Sequence, residues 1–206
     1  MKRSEKAEFS RSKIIHAATD EFSNKSYDTA SLNNICNKNG ISKGLIYHYF
    51  GNKDDLYLSC VRECFCKFTL FLADEDYDFS DFQYGMNQYL ARRLLFFRTY
   101  PQDTRLFFYT VLQPPKHLEP QIHELKAAFD AQCRGYYTAA LEHIPLRDGV
   151  SKERALRYFV LFQELFNGYF KQYINDDSDL SELVHTHEVQ LSSILNLMLY
   201  GITKEN

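Results

Sequence analysis

The chain has 206 residues, of which 45% are hydrophobic and 25% charged, and its formal net charge is −3. That balance is ordinary for a soluble protein with one large domain, or with a small head on a larger body. No apolar run is long enough to span a membrane, and the charged start MKRSEKAEFSRSK lacks a signal-peptide core, so a cytoplasmic chain with five reduced cysteines is expected.

In chain order, the periodicity predicts a first helix over residues 10–23, with Ser10 as cap and Ile14, Ala18 and Phe22 on its buried side. Residues 25–29 form a connection, with Tyr27 as a core plug. The stretch from Ser31 to Lys53 then organises the chain. Ser31 is a good N-cap, and Leu32, Ile35 and Cys36 give the next helix one apolar side. Gly40 breaks that helix where a residue with positive φ fits. Ile41 plugs the turn, and Ser42 caps a third helix. The buried residues of that helix are Leu45 or Ile46, and Tyr49 or Phe50. Ser42, Lys43, Gly44, Tyr47 and His48 are left exposed. A hydroxyl, a cation, a bare backbone, a phenol and an imidazole suit a groove lined with phosphates and base edges. Helix, glycine turn and helix make a helix-turn-helix.

Residues 10–57 resemble the DNA-binding head of the TetR family of bacterial transcriptional regulators. The resemblance rests on Ser10, Ile14, Ala17, Ala18, Phe22, Tyr27, Ser31, Ile35, Gly40 and Ile41. It rests most on the run Ser42-Lys43-Gly44-Leu45-Ile46-Tyr47-His48-Tyr49-Phe50, followed by Asn52, Lys53 and Leu56. Ser26, Cys36, Asn39 and Gly51 depart from the family pattern, and the missing cation at Gly51 costs a phosphate contact. The resemblance implies that Ser31 and Asn33 lie against the DNA backbone, with Ser42 opening the reading helix. It places Lys43, Gly44 and Leu45 at base edges, and Tyr47, His48, Tyr49 and Lys53 at phosphates. Charge agrees: residues 1–56 hold nine Lys or Arg against seven Asp or Glu, a balance of +2 that leaves −5 on residues 57–206.

A fourth helix is predicted from Gly51–Asn52 to Leu72. Cys60 and Cys64 share one face of it, and Cys66 lies ~160° from Cys64. All three are expected to be small core residues rather than metal ligands. A loop at 73–78 is followed by a helix over 80–100, which Pro101 ends. Pro101 opens the next helix, which Pro114-Pro115 closes. Arg92, Arg93, Arg98 and Arg105 lie here, either on a solvated face or with one or two reaching a cavity. A seventh helix is expected over 117–143, an eighth over 151–174 capped by Ser151, and a ninth over 180–201. No charge occurs from Val189 to Ile202.

The fold class is therefore all-α, with about nine helices: a three-helix head over 1–51, and a helical ligand-binding and dimerisation body over 52–206. The last two helices are too apolar to be surface helices of a monomer. The resemblance implies a four-helix bundle with a second copy, with Leu191 and Ile194 among its contacts. No phosphate loop, zinc-protease motif or nucleophile elbow occurs, so neither a cofactor nor a metal is expected. His117, His123, His185 and His187 are expected in solvent or at rims.

The expected function is a repressor released from a palindromic operator by a small hydrophobic or aromatic effector. The alternative is a helical binding protein or enzyme with an incidental hairpin, and a third reading makes the DNA binding architectural. Phe65, Phe68, Phe97, Phe107, Phe108, Phe129, Tyr137, Phe162 and Phe166 are the candidate effector contacts. Glu164 facing them favours a cation, whereas Arg93 or Arg105 favours a carboxylate. A solid core with Glu164 in solvent is equally compatible with the sequence.

Overall fold

The computed structural model describes residues 3–174 and 180–202. Among these residues the backbone is all-α. Its helices are α1 (Arg3–Asn24), α2 (Leu32–Asn39), α3 (Lys43–Tyr49), α4 (Lys53–Ala73), α5 (Phe82–Thr99), α6 (Pro101–Leu112), α7 (Glu119–Leu141), α8 (Lys152–Lys171) and α9 (Leu180–Ile202), with a 3₁₀ turn at Lys116–Leu118. The described residues contain no helix long and apolar enough to cross a membrane.

Two compact units divide the chain. One comprises the residues up to Cys66 together with Tyr100–Lys126, and the other comprises Lys67–Thr99 together with the residues from Ala127 onward. Helices α4 and α7 each contribute to both. In the first unit, Ile14, Ala18, Phe22, Ile35, Ile46 and Leu56 are buried together as the core of the head. Helix α6 packs along α1. Polar bonds fix its register: Gln102 Nε2 donates to Asp20 Oδ1 at 3.0 Å, and Arg105 Nη1 donates to Asn24 Oδ1 at 2.9 Å. On the side toward α4, the Tyr57 and Thr110 hydroxyls pair at 3.0 Å, both buried.

Helix α1 begins at Arg3, seven residues before the expected cap. Ser10 is not that cap, since its hydroxyl donates back to the Lys6 carbonyl at 2.9 Å, as a mid-helix serine can. Helix α7 begins at Glu119, two residues later than expected. Pro120 explains the boundary, because a residue without an N–H is tolerated only in a first turn. Asp81, rather than Ser80, starts α5, accepting from Tyr84 N at 2.7 Å. Cys60 and Cys64 are buried as expected, but Cys66 is exposed.

The second unit is built on stacked rings. Phe68 lies between Phe96 at 4.3 Å and Phe129 at 5.1 Å, and Tyr137 stacks on Phe159 at 4.0 Å. The loop before α5 crosses Gly85 so closely that a Cβ there would stand 2.5 Å from Phe79 Cδ1 and 2.6 Å from the Asp78 carbonyl. The Tyr77 hydroxyl donates to the Leu72 carbonyl at 2.8 Å, satisfying one orphan acceptor at the end of α4.

A buried ion pair joins α5 to α9 in this unit. Arg93 Nε and Nη2 donate to the two oxygens of Glu188, each at 2.9 Å. His187 Nδ1 lies 3.1 Å from Glu188 Oε1, and its Nε2 lies 3.2 Å from Asn167 Oδ1 on α8. The rings of Phe166 and Phe170 close over the imidazole at 4.7 and 4.8 Å. Two expectations are corrected here. His187 is a core residue rather than a rim residue, and Arg93 is held by the protein's own carboxylate. Leu191 is also buried within this unit, so it faces the chain's own core rather than a partner.

Burial pushes the Glu188 carboxyl up, but the Arg93 charge and the His187 bond outweigh it and hold the group at about 2. A carboxyl depressed below its ordinary 4.5 contributes stability that is present above that value and is lost as pH falls toward 2. Glu188→Ala should cost about 3–5 kcal/mol, because Arg93 is left buried without a counter-charge. Thermal melts from pH 6 to 2 check both statements: the wild type loses stability steeply below about pH 4.5, and the variant less so.

Candidate nucleic-acid interface

Three local devices build the head's outer surface. Ser31 has extended backbone, and its hydroxyl accepts from Asn33 N at 3.2 Å, starting α2. Gly40 ends α2 in the left-handed region at φ 61. A Cβ there would meet nothing within 4 Å, so backbone conformation rather than space calls for glycine. Ser42 then caps α3 by accepting from Leu45 N at 3.1 Å.

The third helix has two distinct sides. Ile46 and Phe50 are buried, which resolves both pairs of alternatives left open by the sequence. Ser42, Lys43, Gly44, Tyr47 and His48 are exposed, and Leu45 and Tyr49 are half-buried between the two sides. Asn33 is exposed on α2 and Ser31 half-buried. A Cβ on Gly44 would also meet nothing within 4 Å, so the surface of α3 is open at that point.

Glu21, near the end of α1, sets where these helices lie. It is 1% exposed. Its Oε1 accepts from Ser31 N at 3.2 Å and from Asn34 Nδ2 at 2.9 Å, and lies 3.2 Å from Lys25 Nζ. Its Oε2 lies 3.6 Å from Lys38 Nζ. Burial raises the carboxyl, yet the Asn34, Ser31 and Lys25 bonds outweigh it, and the group is held below the ordinary carboxylate range. One ionised side chain thus clamps both turns of α2 to α1. Sequence reasoning missed this residue, although a signal exists. Glu21 lies seven residues after Ile14 and three after Ala18, so a charge stands on the apolar stripe of α1.

Lys53 is placed differently from the exposed Tyr47 and His48. Its Nζ donates to the Tyr27 carbonyl and lies 4.3 Å over the Tyr27 ring. The Tyr27 hydroxyl donates to Asp54 Oδ1, and His117 Nε2 stands 3.3 Å from the same oxygen. The Tyr27 bond is the main cause that holds the Asp54 carboxyl below its ordinary value. Gly51 also has a local account. Its N–H donates to Asp55 Oδ2 at 3.1 Å, and a Cβ there would lie 2.7 Å from that oxygen, so a longer residue needs Asp55 to turn away.

The candidate effector residues fall into separate groups. Phe65, Phe107 and Phe108 lie in the first unit, with Phe65 and Phe107 edge-to-face at 5.7 Å. In the second unit, Phe68, Phe97 and Phe129 surround one core, and Tyr137 stacks on Phe159. Phe162 and Phe166 continue toward Phe170. Glu164 is exposed on the outer side of α8.

With this geometry described, relatives can be compared. Residues 14–60 match the family of bacterial regulatory proteins described as tetR family. A negative transcriptional regulator of the biofilm operon icaADBC, IcaR of Staphylococcus epidermidis, is 25% identical over 199 residues, covering 92% of this chain and 98% of its own length. Over residues 14–60 the chain is thus similar to the tetR-family regulators. The Escherichia coli transcriptional regulator RutR is 29% identical over 130 residues, covering 63% of this chain and 61% of its own. In fold, the chain resembles a TetR-family regulator from Chloroflexus aurantiacus, with TM-score 0.62, 20% identity, and coverage of 96% and 95% of the two chains. It also resembles FadR of Bacillus subtilis in complex with stearoyl-CoA, with TM-score 0.60, 17% identity, and coverage of 88% and 97%. The chain is thus similar, over its head and across most of its length, to transcriptional regulators of that family, and it carries a helix-turn-helix head.

Within that head, Glu21→Ala strips the Ser31 N–H and the Asn34 amide of their acceptor. Stability in denaturant titrations should fall by about 1–3 kcal/mol. Glu21→Gln, which keeps one carbonyl oxygen, should lose less.

Proposed function

We propose that the protein is a repressor that binds a palindromic operator as a homodimer and is released by a small apolar effector. The observation that carries this reading is the sidedness of α3, with Ile46 and Phe50 inside and Ser42, Lys43, Gly44, Tyr47 and His48 outside. An enzyme has no need of such a surface. In this reading Lys43, Gly44 and Leu45 meet base edges, and Tyr47, His48 and Tyr49 meet phosphates. Ser31 and Asn33 lie against the DNA backbone at the start of α2. Lys53 contributes by exchanging the Tyr27 carbonyl for a phosphate oxygen, and otherwise it braces the turn beneath α2.

Dimerisation follows from what one chain leaves uncovered. Tyr158, Leu161, Leu165 and Tyr169 on α8, and Val189 and Leu197 on α9, are each about half or more exposed. A second copy buries these side chains, and it supplies the second head that a palindrome requires. IcaR's description as a negative regulator supports repression.

The effector reading rests on the aromatic density of the second unit and on FadR, which was solved with stearoyl-CoA. Glu164 is exposed, Arg105 is exposed and bonded to Asn24, and Arg93 is held by Glu188. None of the charged anchors named from the sequence is thus turned toward the ring clusters with its charge unmet, which favours an apolar molecule.

Duplexes selected from a random pool should yield a palindrome. Lys43→Ala should weaken binding to it by about 1–3 kcal/mol and relax base preference. Wild-type affinity and sequence choice in that variant would remove α3 from the DNA surface.

A thermal screen of uncharged hydrophobic compounds, fatty acids and hydrophobic cations should find the first class raising the melting temperature most. A hit must also release the operator, because a ligand shifts an equilibrium only by its differential affinity for the two states. Stabilisation without release would leave a binding site but no sensor.

A further inference from the structure

The outer face of α8 carries a pattern that the packing of a single chain leaves unused. Tyr158, Leu161 and Leu165 are 51%, 50% and 66% exposed. At ~100° per residue they form one stripe, and Arg157 and Glu164 stand together along one flank of it. Both charged residues are exposed. Neither makes a hydrogen bond or salt bridge among the described residues. Glu153, one turn before Arg157, is bonded by the Ser151 hydroxyl and feels the Arg157 charge only through space. An open groove of about 880 Å³ runs along the stripe's N-terminal half, with Val150, Ala155, Tyr158 and Leu161 on its walls.

We propose that α8 packs against α8 of a second copy in antiparallel orientation about Leu161, with Arg157 of each chain beside Glu164 of the partner subunit. This rests on the homodimer reading above and specifies its orientation. A two-fold axis perpendicular to α8 reverses the helix direction but keeps the charged flank on the same side of the contact. Arg157, four residues before Leu161, then comes level with Glu164 and Leu165 of the partner subunit, three and four residues beyond it. Leu165, the most exposed of the three apolar residues, enters the partner's groove beside Tyr158. A two-fold axis running along α8 would instead set Arg157 level with its own copy, across the stripe, and would pair neither charge. The apolar stripe drives association, and the charges select its direction. Each ionic contact occurs twice, so a small preference is doubled.

Charge reversal in the full-length protein tests the pairing. Arg157→Glu makes the flank wholly acidic, and Glu164→Arg makes it wholly basic. Each variant alone should self-associate at least about tenfold more weakly than wild type in sedimentation, because like charges meet twice. An equimolar mixture of R157E and E164R should regain near wild-type affinity as a heterodimer, read by native mass spectrometry of isotope-labelled copies. Both positions are exposed, so circular dichroism spectra of the single variants below the melting transition should match wild type and exclude misfolding. Single variants that dimerise like wild type would overturn the pairing while leaving the dimer intact. Weakened variants whose mixture does not recover would overturn the antiparallel register. A wild-type chain that stays monomeric at micromolar concentration would overturn the dimer reading itself.

Discussion

The Glu21 carboxylate holds a position that charged groups rarely occupy, almost sealed from solvent between the first two helices of the head. An isolated carboxylate there would be costly. It is tolerated because four groups from outside its own backbone converge on it: an amide at the start of α2, a side-chain amide in its first turn, and two lysines. Its Oε1 accepts both hydrogen bonds, and its Oε2 has the Lys38 ammonium at 3.6 Å but no hydrogen bond among the described residues, so the charge is met mainly through one oxygen. Once α2 is placed, Gly40 and Ser42 set the turn and the start of α3. The exposed face of α3 is therefore positioned from beneath by a residue that is itself buried.

The second unit solves the same problem on a larger scale. Its rings interlock at 4 to 6 Å and supply apolar burial with little directional preference. Direction comes from the Arg93–Glu188 pair, which permits one relation between α5 and α9, and from His187, which extends that relation to Asn167 on α8. A buried pair of this kind contributes little net stability compared with apolar residues of the same shape, but removing either partner is costly. Here it ties α5 to α9 within an otherwise apolar unit. The outward side of α8, whose inner side is held this way, is then presented as a regular surface.

Much of this was determined by the sequence alone. The helices of the described residues follow from apolar periodicity, and the turn at Gly40 from the single residue type that accepts positive φ without strain. The side of α3 that faces outward follows from serine caps and a 3.6-residue period. All of these are local properties, decided within one or two helical turns, so the chain states them without reference to anything distant. The tertiary structure alone decided where the charges go. Glu21 meets Asn34 across a loop, Lys53 turns toward Tyr27, and Arg93 finds Glu188 some ninety residues away. Among these charges, the sequence carries a signal for Glu21, which stands on the apolar stripe of α1. It could not name their partners, because a charged side chain is satisfied by whatever complementary group the fold brings within about 3 Å, and that proximity exists only once the helices are packed.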